Sequence, residues 1–329
     1  MSKPTYKADI AKEYIAKFPN STTAAISRKM YEDYPSYWAT PESARSIVRT
    51  YRDGLGGNHE TVRTEADKKH AMAHFAIPQT DYKELEVFRI PLEHNKPLLL
   101  SDVHVPYHSI EAVEAALAYG EKKQMNAIYL NGDFMDCYGI SRFVRDRRLR
   151  DMAGELDMVQ EFLHTLKERY QLPIYYKLGN HEDRWEIFMR TQAPELLNIP
   201  EFRLEEVLHF DEFNVTEVKS KQIAKAGKLN VLHGHEFGHS VFSPVNPARG
   251  LYMRAKESSI IGHHHQTSEH SEKSLNDKVV TCYSTGALCG LKPDYMPHNK
   301  WNHGFAMVEF DAEGNFSVDN KRIIDGLVR

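Results

Sequence analysis

PLLLSDVH, residues 97–104, is an apolar run that ends in polar residues. An apolar run that stops in polar residues is typical of a buried strand whose end carries functional side chains. The same pattern returns in NAIYLNGD at 126–133 and in IYYKLGNHE at 174–182. Amphipathic stretches at 110–123 and 156–170 separate the three runs. This alternation predicts strands joined by helical crossovers, and therefore an α/β sheet.

The second half of the chain shows a different pattern. From residue 213 onward the spacing predicts strands only, and these fall at 214–218, 229–232, 258–261, 279–284, 305–310 and 316–319. We expect this half to form a mainly β layer that packs face to face with the first sheet.

The N-terminal segment, residues 1–70, is predicted to form a small all-α domain. Helical spacing of apolar residues occurs at 6–18, 24–31 and 44–52, and Ser21, Thr22 and Thr23 are suited to capping the second helix. Three short helices with a basic third resemble a helix-turn-helix unit that binds nucleic acid. A small helical appendage that packs on an enzyme is the alternative. Residues 71–95 are predicted to be a linker that ends in an edge strand near Leu85–Ile90, and the main domain is predicted to span 96–329.

The composition is that of an ordinary globular protein, with 329 residues, 41% hydrophobic and 27% charged. No apolar run is long enough to span a membrane, and no secretory signal is evident. Three cysteines without a CxxC pair argue against a disulfide scaffold and fit a reducing compartment, so we expect a cytoplasmic protein. The 18 histidines are unusual, and histidine is the commonest metal-binding side chain.

Candidate metal ligands close each of several predicted strands. Alternation along an extended segment would put Asp102 and His104 on the same side, where both can reach one cation. Similar groups follow the later strands, in NGDFMD at 131–136, GNHE at 179–182, HGH at 233–235 and GHHH at 262–265. Glycine beside each group lets the backbone turn sharply and approach the site closely.

The ordered pattern DxH…GDxxD…GNHE…H…GHxH resembles the signature of the calcineurin-like metallophosphoesterase superfamily, over about residues 96–310. The resemblance implies a four-layer αββα sandwich with two divalent metal ions between the strand ends. One ion would be held by Asp102, His104 and His265. The other would be held by Asn180, His233 and His263, and Asp133 would bridge both. The resemblance favours His233 over His235, because the family takes its ligand from the histidine before the glycine, and it implies that His264 points away.

The resemblance also implies a reaction. Manganese is the first choice of metal, with iron and zinc as alternatives, since the mixed nitrogen and oxygen ligands suit all three. A hydroxide that bridges the metals would attack the phosphorus of a phosphoester in line with the leaving oxygen. His181 matches the family residue that protonates the leaving group, and Asp136 matches the carboxylate that orients it.

The substrate is less closely determined than the reaction. GDFMDCYG, at 132–139, lacks the arginine of the GDxVDRG motif in Ser/Thr protein phosphatases. Arg142 and Arg145 begin an arginine cluster that could grip substrate phosphate, although a solvated helix face explains the cluster equally well. Arg184 could serve either phosphate or packing. Trp301 could stack a base, although ordinary packing is the simpler interpretation.

Sequence segments such as GDFMDCYGISRF (132–143) and LGNHEDRW (178–185) are similar to those of metallophosphoesterases widespread in bacteriophages and bacteria. Together with the N-terminal helical unit, this favours a phosphodiesterase or nuclease acting on nucleic acid. A phosphomonoesterase acting on a small molecule or a phosphoprotein is the alternative within enzymes. A non-catalytic metal-binding scaffold is the alternative outside them, although scaffolds commonly lose ligands that this chain keeps. The oligomeric state is left open.

Overall fold

The computed structural model of the protein describes residues 7–52, 79–142, 151–238 and 245–329. The chain divides into two compact units, Met1–Tyr82 and Lys83–Arg329. None of the helices in the described ranges has the length and apolar character needed to cross a membrane.

The first unit contains the three predicted helices: α1 (Lys7–Lys17), α2 (Thr23–Asp33) and α3 (Pro41–Arg52). The Thr22 hydroxyl accepts the amide of Ala25 and caps α2, as the sequence predicts. The helices enclose a core of their own, which comprises Ile10, Ala11, Tyr14, Ile26, Met30, Trp38, Ala44 and Val48. The connection between α2 and α3, residues 34–40, is longer than the three- or four-residue turn of a helix-turn-helix motif.

The second unit is built on two sheets. The seven-stranded sheet contains β2 (Pro97–Leu100), β3 (Ala127–Asn131), β4 (Ile174–Lys177), β5 (Val215–Val218), β11 (His303–Phe310), β12 (Phe316–Ile324) and β13 (Leu327–Val328). Its strand order is β13-β12-β11-β2-β3-β4-β5. The strands β2 to β5 are parallel to one another, as expected for crossover units, and β11 to β13 extend the sheet in antiparallel fashion.

The six-stranded sheet contains β1 (Phe88–Arg89), β6 (Ala224–Ala226), β7 (Leu229–Val231), β8 (Ser259–Ile261), β9 (Ser268–Lys273) and β10 (Val279–Ser284). Its order is β1-β6-β7-β8-β10-β9, so β1 lies at an edge, where the sequence predicts an edge strand. The strands β7, β8 and β10 are mutually parallel, which brings the ends of β7 and β8 to the same side of the sheet.

Helices cover the outer faces of both sheets. Two helices, α4 (Ile110–Lys122) and α5 (Met152–Tyr170), cover the seven-stranded sheet. Their buried residues and those on the outer face of this sheet form one hydrophobic core. A second core lies between the sheets, where Leu99 and Tyr129 of one sheet meet Val231 and Ile260 of the other. Three shorter helices follow β4: α6 (Asp183–Gln192), α7 (Leu204–Val207) and α8 (Phe210–Phe213).

The fourth layer is α9 (Pro247–Ala255), which packs Ala248 and Leu251 against Leu232 and Ile261 on the outer face of the six-stranded sheet. The four-layer αββα sandwich preceded by a helical region is therefore confirmed. The expectation of strands only after residue 213 is wrong, because a sheet buried on both faces needs a helix to cover its outer side. The strands β6, β9 and β13 were also missed, since each is short or polar.

Candidate metal centre

Five strand ends meet at one place between the sheets. The loops that follow β2, β3 and β4 leave the same edge of the seven-stranded sheet because these strands are parallel neighbours. The loops after β7 and β8 leave the facing edge of the other sheet. Hydrogen bonds join the two groups of loops, since the amide of His263 donates to both carboxylate oxygens of Asp102 at 3.1 and 2.9 Å.

The backbone at these loops is left-handed rather than extended. Asp102, His104, Asp133, His263 and His265 have φ values of 55°, 51°, 51°, 64° and 55°. The argument that strand alternation aligns Asp102 with His104 is therefore wrong, because β2 ends at Leu100. Left-handed φ is costly for residues with a side chain and is concentrated at functional sites. The convergence of these side chains comes from turns that the surrounding structure holds in place.

Glycines allow the loops to approach one another. A Cβ at Gly179 would stand 2.3 Å from Asp133 Oδ1, and one at Gly262 would stand 2.6 Å from Asp102 Oδ2. Both distances are shorter than any real contact, so a larger residue would displace the carboxylate beside it.

The first group of predicted ligands surrounds Asp102. Asp102 Oδ1 lies 3.1 Å from His265 Nε2, and that nitrogen lies 3.3 Å from His104 Nε2. Asp133 Oδ2 lies 4.0 Å from His104 Nε2 and links this group to the second. Asp102, His104 and His265 are all buried.

The second group lies on the other side of Asp133. His233 Nε2 is 3.2 Å from Asp133 Oδ2 and 3.2 Å from Asn180 Oδ1. Ligand atoms of Asp133, His233 and His263 all lie within 4.8 Å of one another. The structure therefore brings all seven predicted ligands into one cluster, with Asp133 in its middle.

Two neighbouring histidines lie outside the cluster. His235 Nε2 is 2.8 Å from the Ser220 hydroxyl and 3.6 Å from Asp183 Oδ2, and it belongs to none of the possible metal groups among the described residues. The His264 ring lies 5.1 Å from that of His263 and is likewise outside these groups.

Charge in the cluster is balanced between carboxylates and imidazoles. Burial would raise the pKa of Asp133, but the neighbouring imidazoles outweigh it and hold this pKa well below its usual value. Burial would lower the pKa of His233 and of His265, but Asp133 and Asp102 raise each to about 10. Burial, assisted by the charge of His233, lowers the pKa of His263 to about 3 and keeps that ring neutral.

The donor set fits divalent cations. Two buried carboxylates, four imidazoles and one amide oxygen converge, and within the described part of the chain neither carboxylate pairs with a lysine or an arginine. The Nε2 atoms of His104 and His265 lie 3.3 Å apart, so one cation beside them would accept the lone pair of each nitrogen. Such a mixture of nitrogen and oxygen donors suits manganese, iron or zinc.

The predicted catalytic pair lies beside the cluster. His181 Nδ1 is 2.8 Å from the Asp136 carbonyl oxygen and 3.1 Å from Asp136 Oδ1. His181 Nε2 is 3.7 Å from Asp133 Oδ2, so this nitrogen faces the ligands. Asp136 Oδ1 also lies 2.9 Å from His104 Nδ1. Asp136 thus contacts a predicted ligand as well as the predicted acid, a contact that the sequence did not indicate.

Arg184, in the first turn of α6, contacts the same pair. Its Nη1 donates to the Asp136 carbonyl oxygen at 2.8 Å, and its Nη2 lies 2.9 Å from His181 Nε2. The guanidinium therefore contacts the histidine that the sequence predicts to be the acid, whereas the sequence left Arg184 undecided between phosphate contact and packing.

Sequence reasoning missed the carboxylate that shapes this centre. Glu182 is buried, and its two oxygens accept hydrogen bonds from four backbone amides and one hydroxyl. The donors are the amides of Asp133 (3.0 Å), Phe134 (2.8 Å), Met135 (3.0 Å) and Gly179 (2.8 Å), and the hydroxyl of Tyr176 (3.1 Å). The only available signal was its place in GNHE.

Glu236 has a parallel role at the other sheet. It accepts the amides of His233 at 3.0 Å and Gly234 at 2.6 Å, and it forms a buried ion pair with Lys177 at 3.0 Å. Each of the two loop groups is therefore tied to an acidic side chain that is not a proposed ligand.

A cleft of about 820 Å³ opens beside Asn180 and His263. Arg142, one of the two predicted phosphate-binding residues, lines it together with Arg184 and Lys221. Arg145, the other, lies outside the described residues. The ring centroid of Trp301 lies 4.2 Å from that of His265, so Trp301 packs beside the first ligand group.

The family model described as calcineurin-like phosphoesterase matches residues 96–290, more than half of the chain. The Gene 54 protein of Mycobacterium phage L5 is 26% identical over 248 residues, which cover 68% of this chain and 96% of that protein.

Two solved structures are similar at low identity. Vacuolar protein sorting 29 from Cryptosporidium parvum is 15% identical with a TM-score of 0.38, over 71% of this chain and 94% of that one. A dimetal phosphatase from Danio rerio is 11% identical with a TM-score of 0.36, over 70% and 96%.

Proposed function

The chain belongs to the calcineurin-like phosphoesterase family and is a metal-dependent phosphoester hydrolase, and from that premise we propose that it cleaves phosphodiester bonds in nucleic acid. The observation that carries the proposal is the convergence of the seven predicted ligands, which the contacts of Asp133 with His104 and His233, of Asp102 with His265, and of Asn180 with His233 bring together. Residues 96–329 would be the catalytic domain.

In the proposed centre, Asp102, His104 and His265 would hold one divalent ion. Asn180, His233 and His263 would hold a second, and Asp133 would be a ligand of both. When bound, two such ions supply Lewis-acid activation of water and neutralise charge on the phosphate. Manganese is the proposed occupant, with iron and zinc as alternatives.

His181 is the proposed general acid. Its Nδ1 is engaged by Asp136, which leaves Nε2 directed at the cluster. Burial would lower the pKa of His181, but the carboxylates of Asp133 and Asp136 raise it above its usual value. A general acid needs a proton on Nε2, whereas Arg184 Nη2 donates toward this nitrogen from 2.9 Å, so the acid form requires the guanidinium to move away. A phosphate that draws the Arg184 guanidinium toward itself would also release His181 Nε2 for the leaving oxygen.

The preference for a diester over a small monoester is supported by the size and charge of the cleft. The cleft volume of about 820 Å³ is larger than one phosphate needs and lies within the range of pockets that hold a whole small-molecule ligand. The cations Arg142, Arg184 and Lys221 along it suit a polyanionic strand.

The proposal for the N-terminal domain, residues 1–70, is that it contacts nucleic acid through α3. Within the described part of this unit, Arg52 donates to the carbonyl oxygens of Ser21 and Pro19, and Arg45 pairs with Glu42. Arg49 is exposed and is therefore the residue of α3 to test. Arg49→Glu in the full chain should weaken DNA binding measured by fluorescence anisotropy. Unchanged affinity would contradict this role for α3.

The function is tested with manganese-loaded protein and four substrates: bis-p-nitrophenyl phosphate, p-nitrophenyl phosphate, and labelled single- and double-stranded DNA. We expect cleavage of the diester and of DNA. His181→Ala should reduce kcat by about a hundredfold or more, since general acids contribute on that scale. His164→Ala, on the exposed side of α5, is the matched control and should retain wild-type rates.

The outcomes separate the candidate functions. Cleavage of p-nitrophenyl phosphate alone would show a phosphomonoesterase and would overturn the nuclease proposal. No cleavage of any substrate with manganese, iron or zinc would favour the metal-binding scaffold.

A further inference from the structure

The cleft beside the second ligand group extends well beyond the metal centre. Asn180 and His263, the two partly exposed members of the predicted ligand set, are part of its lining. At about 820 Å³ the cleft holds many times the roughly 30 Å³ that one water occupies in the liquid. A scissile phosphate at the metals would leave most of this space for the rest of the substrate.

The charged residues along the cleft are three cations and one carboxylate: Arg142, Arg184, Lys221 and Asp183. The carboxylate is already engaged, because Asp183 Oδ2 accepts the Ser220 hydroxyl at 2.8 Å and lies 3.6 Å from His235 Nε2. Lys221 is exposed and forms no ion pair with any residue in the described ranges. Lys221 thus presents to the cleft a positive charge that no carboxylate in the described ranges pairs with.

The position of Arg184 indicates which side of the scissile bond faces the cleft. Its guanidinium contacts His181 Nε2, the proposed donor of a proton to the leaving oxygen, and the same residue lines the cleft. The part of the substrate that departs therefore lies on the cleft side of the scissile bond. Lys221 and Arg142 line the same cleft, where that part of the substrate would lie.

We propose that the cleft is a subsite for the phosphate next to the scissile one, on the leaving-group side, so that the substrate class is an oligonucleotide strand. This inference rests on the proposed function. Arg184 contacts the scissile phosphate, and Lys221 with Arg142 binds the neighbouring one. Charge-assisted contacts of this kind place the strand in register without reading its sequence.

The test compares three forms of a thymidine dinucleotide: one with no terminal phosphate, one with a 5′-terminal phosphate and one with a 3′-terminal phosphate. Bis-p-nitrophenyl phosphate reports the metal centre alone. For the wild-type protein, one of the two terminal phosphates should raise kcat/KM about tenfold, mainly through KM, which is the scale of one charge-assisted hydrogen bond. Lys221→Ala should remove most of that advantage. Lys219→Ala, two residues away and outside the cleft, is the matched control and should keep it.

The failures of the two proposals are distinguishable. No hydrolysis of bis-p-nitrophenyl phosphate would overturn the phosphodiesterase function itself. Hydrolysis of that compound with no gain from either terminal phosphate would overturn the subsite alone. A gain that survives in Lys221→Ala would also overturn it, because the anion would then be bound elsewhere.

Discussion

Replacing Glu182 with glutamine should destabilise the catalytic unit strongly, although the change is one atom. In the structure one carboxylate oxygen accepts the amides of Phe134 and Met135, and the other accepts those of Asp133 and Gly179. A glutamine amide has one acceptor oxygen, so in either orientation its NH₂ group meets two backbone N–H groups. Each buried donor left without a partner costs about 1–3 kcal/mol, which predicts a loss of about 2–6 kcal/mol.

That loss is large against the 5–15 kcal/mol by which domains are usually stable. It is measured by urea unfolding of metal-free protein, so that metal binding does not contribute. The control is Glu186→Gln, one turn along α6, where an exposed pair with Arg190 should be worth about 1 kcal/mol or less. If both variants lost the same free energy of unfolding, the hydrogen bonds of Glu182 would not be what holds these loops together.

Three further results are expected. In Gly262→Ala the new Cβ would stand 2.6 Å from Asp102 Oδ2, so calorimetric titration should show manganese affinity reduced at least about tenfold, and wild-type affinity would refute the close approach. Burial, with the charge of Asp136 nearby, raises the pKa of Glu155 from an ordinary 4.5 to about 7. The folded state should therefore lose about 3 kcal/mol of stability as the pH rises from 4.5 to 7, because the unfolded chain gives up this proton first. Glu155→Gln should remove that pH dependence in thermal melts, and a parallel slope in the two proteins would argue against it. The neighbouring carboxylates raise the pKa of His233 and of His265 to about 10, so metal binding near pH 7.5 should release about two protons per chain. Titration calorimetry in buffers of different ionisation enthalpy should therefore give different binding enthalpies. The same enthalpy in every buffer would contradict the protonated state of these two histidines.

Much of the fold was accessible from the sequence because parallel strands leave strong local signals. The run that forms Ile174–Lys177 is buried and stops at a polar motif, so its position is predictable to within one residue, whereas β2 ends already at Leu100, well inside the stretch 97–104. The helix α9 escaped notice because its apolar residues are few, and because the need for it comes from the sheet that it covers.

The candidate site was predictable as a set of residues but not as a geometry. The left-handed backbone at Asp102 and His104 is imposed by loops from distant parts of the chain, which a local alternation rule cannot anticipate. The partners of Glu182 include amides 47 to 49 residues away, so no sequence spacing marks it as buried. The contact between Arg184 and His181 is local in sequence, yet only the structure shows which atom the guanidinium meets.

The most direct test of the proposed metal centre is an anomalous difference map from crystals grown with manganese. We expect two peaks per chain, one among Asp102, His104 and His265 and the other among Asn180, His233 and His263, with Asp133 contacting both. A single peak, or two peaks that do not share Asp133, would contradict the two-metal centre on which the proposed reaction depends.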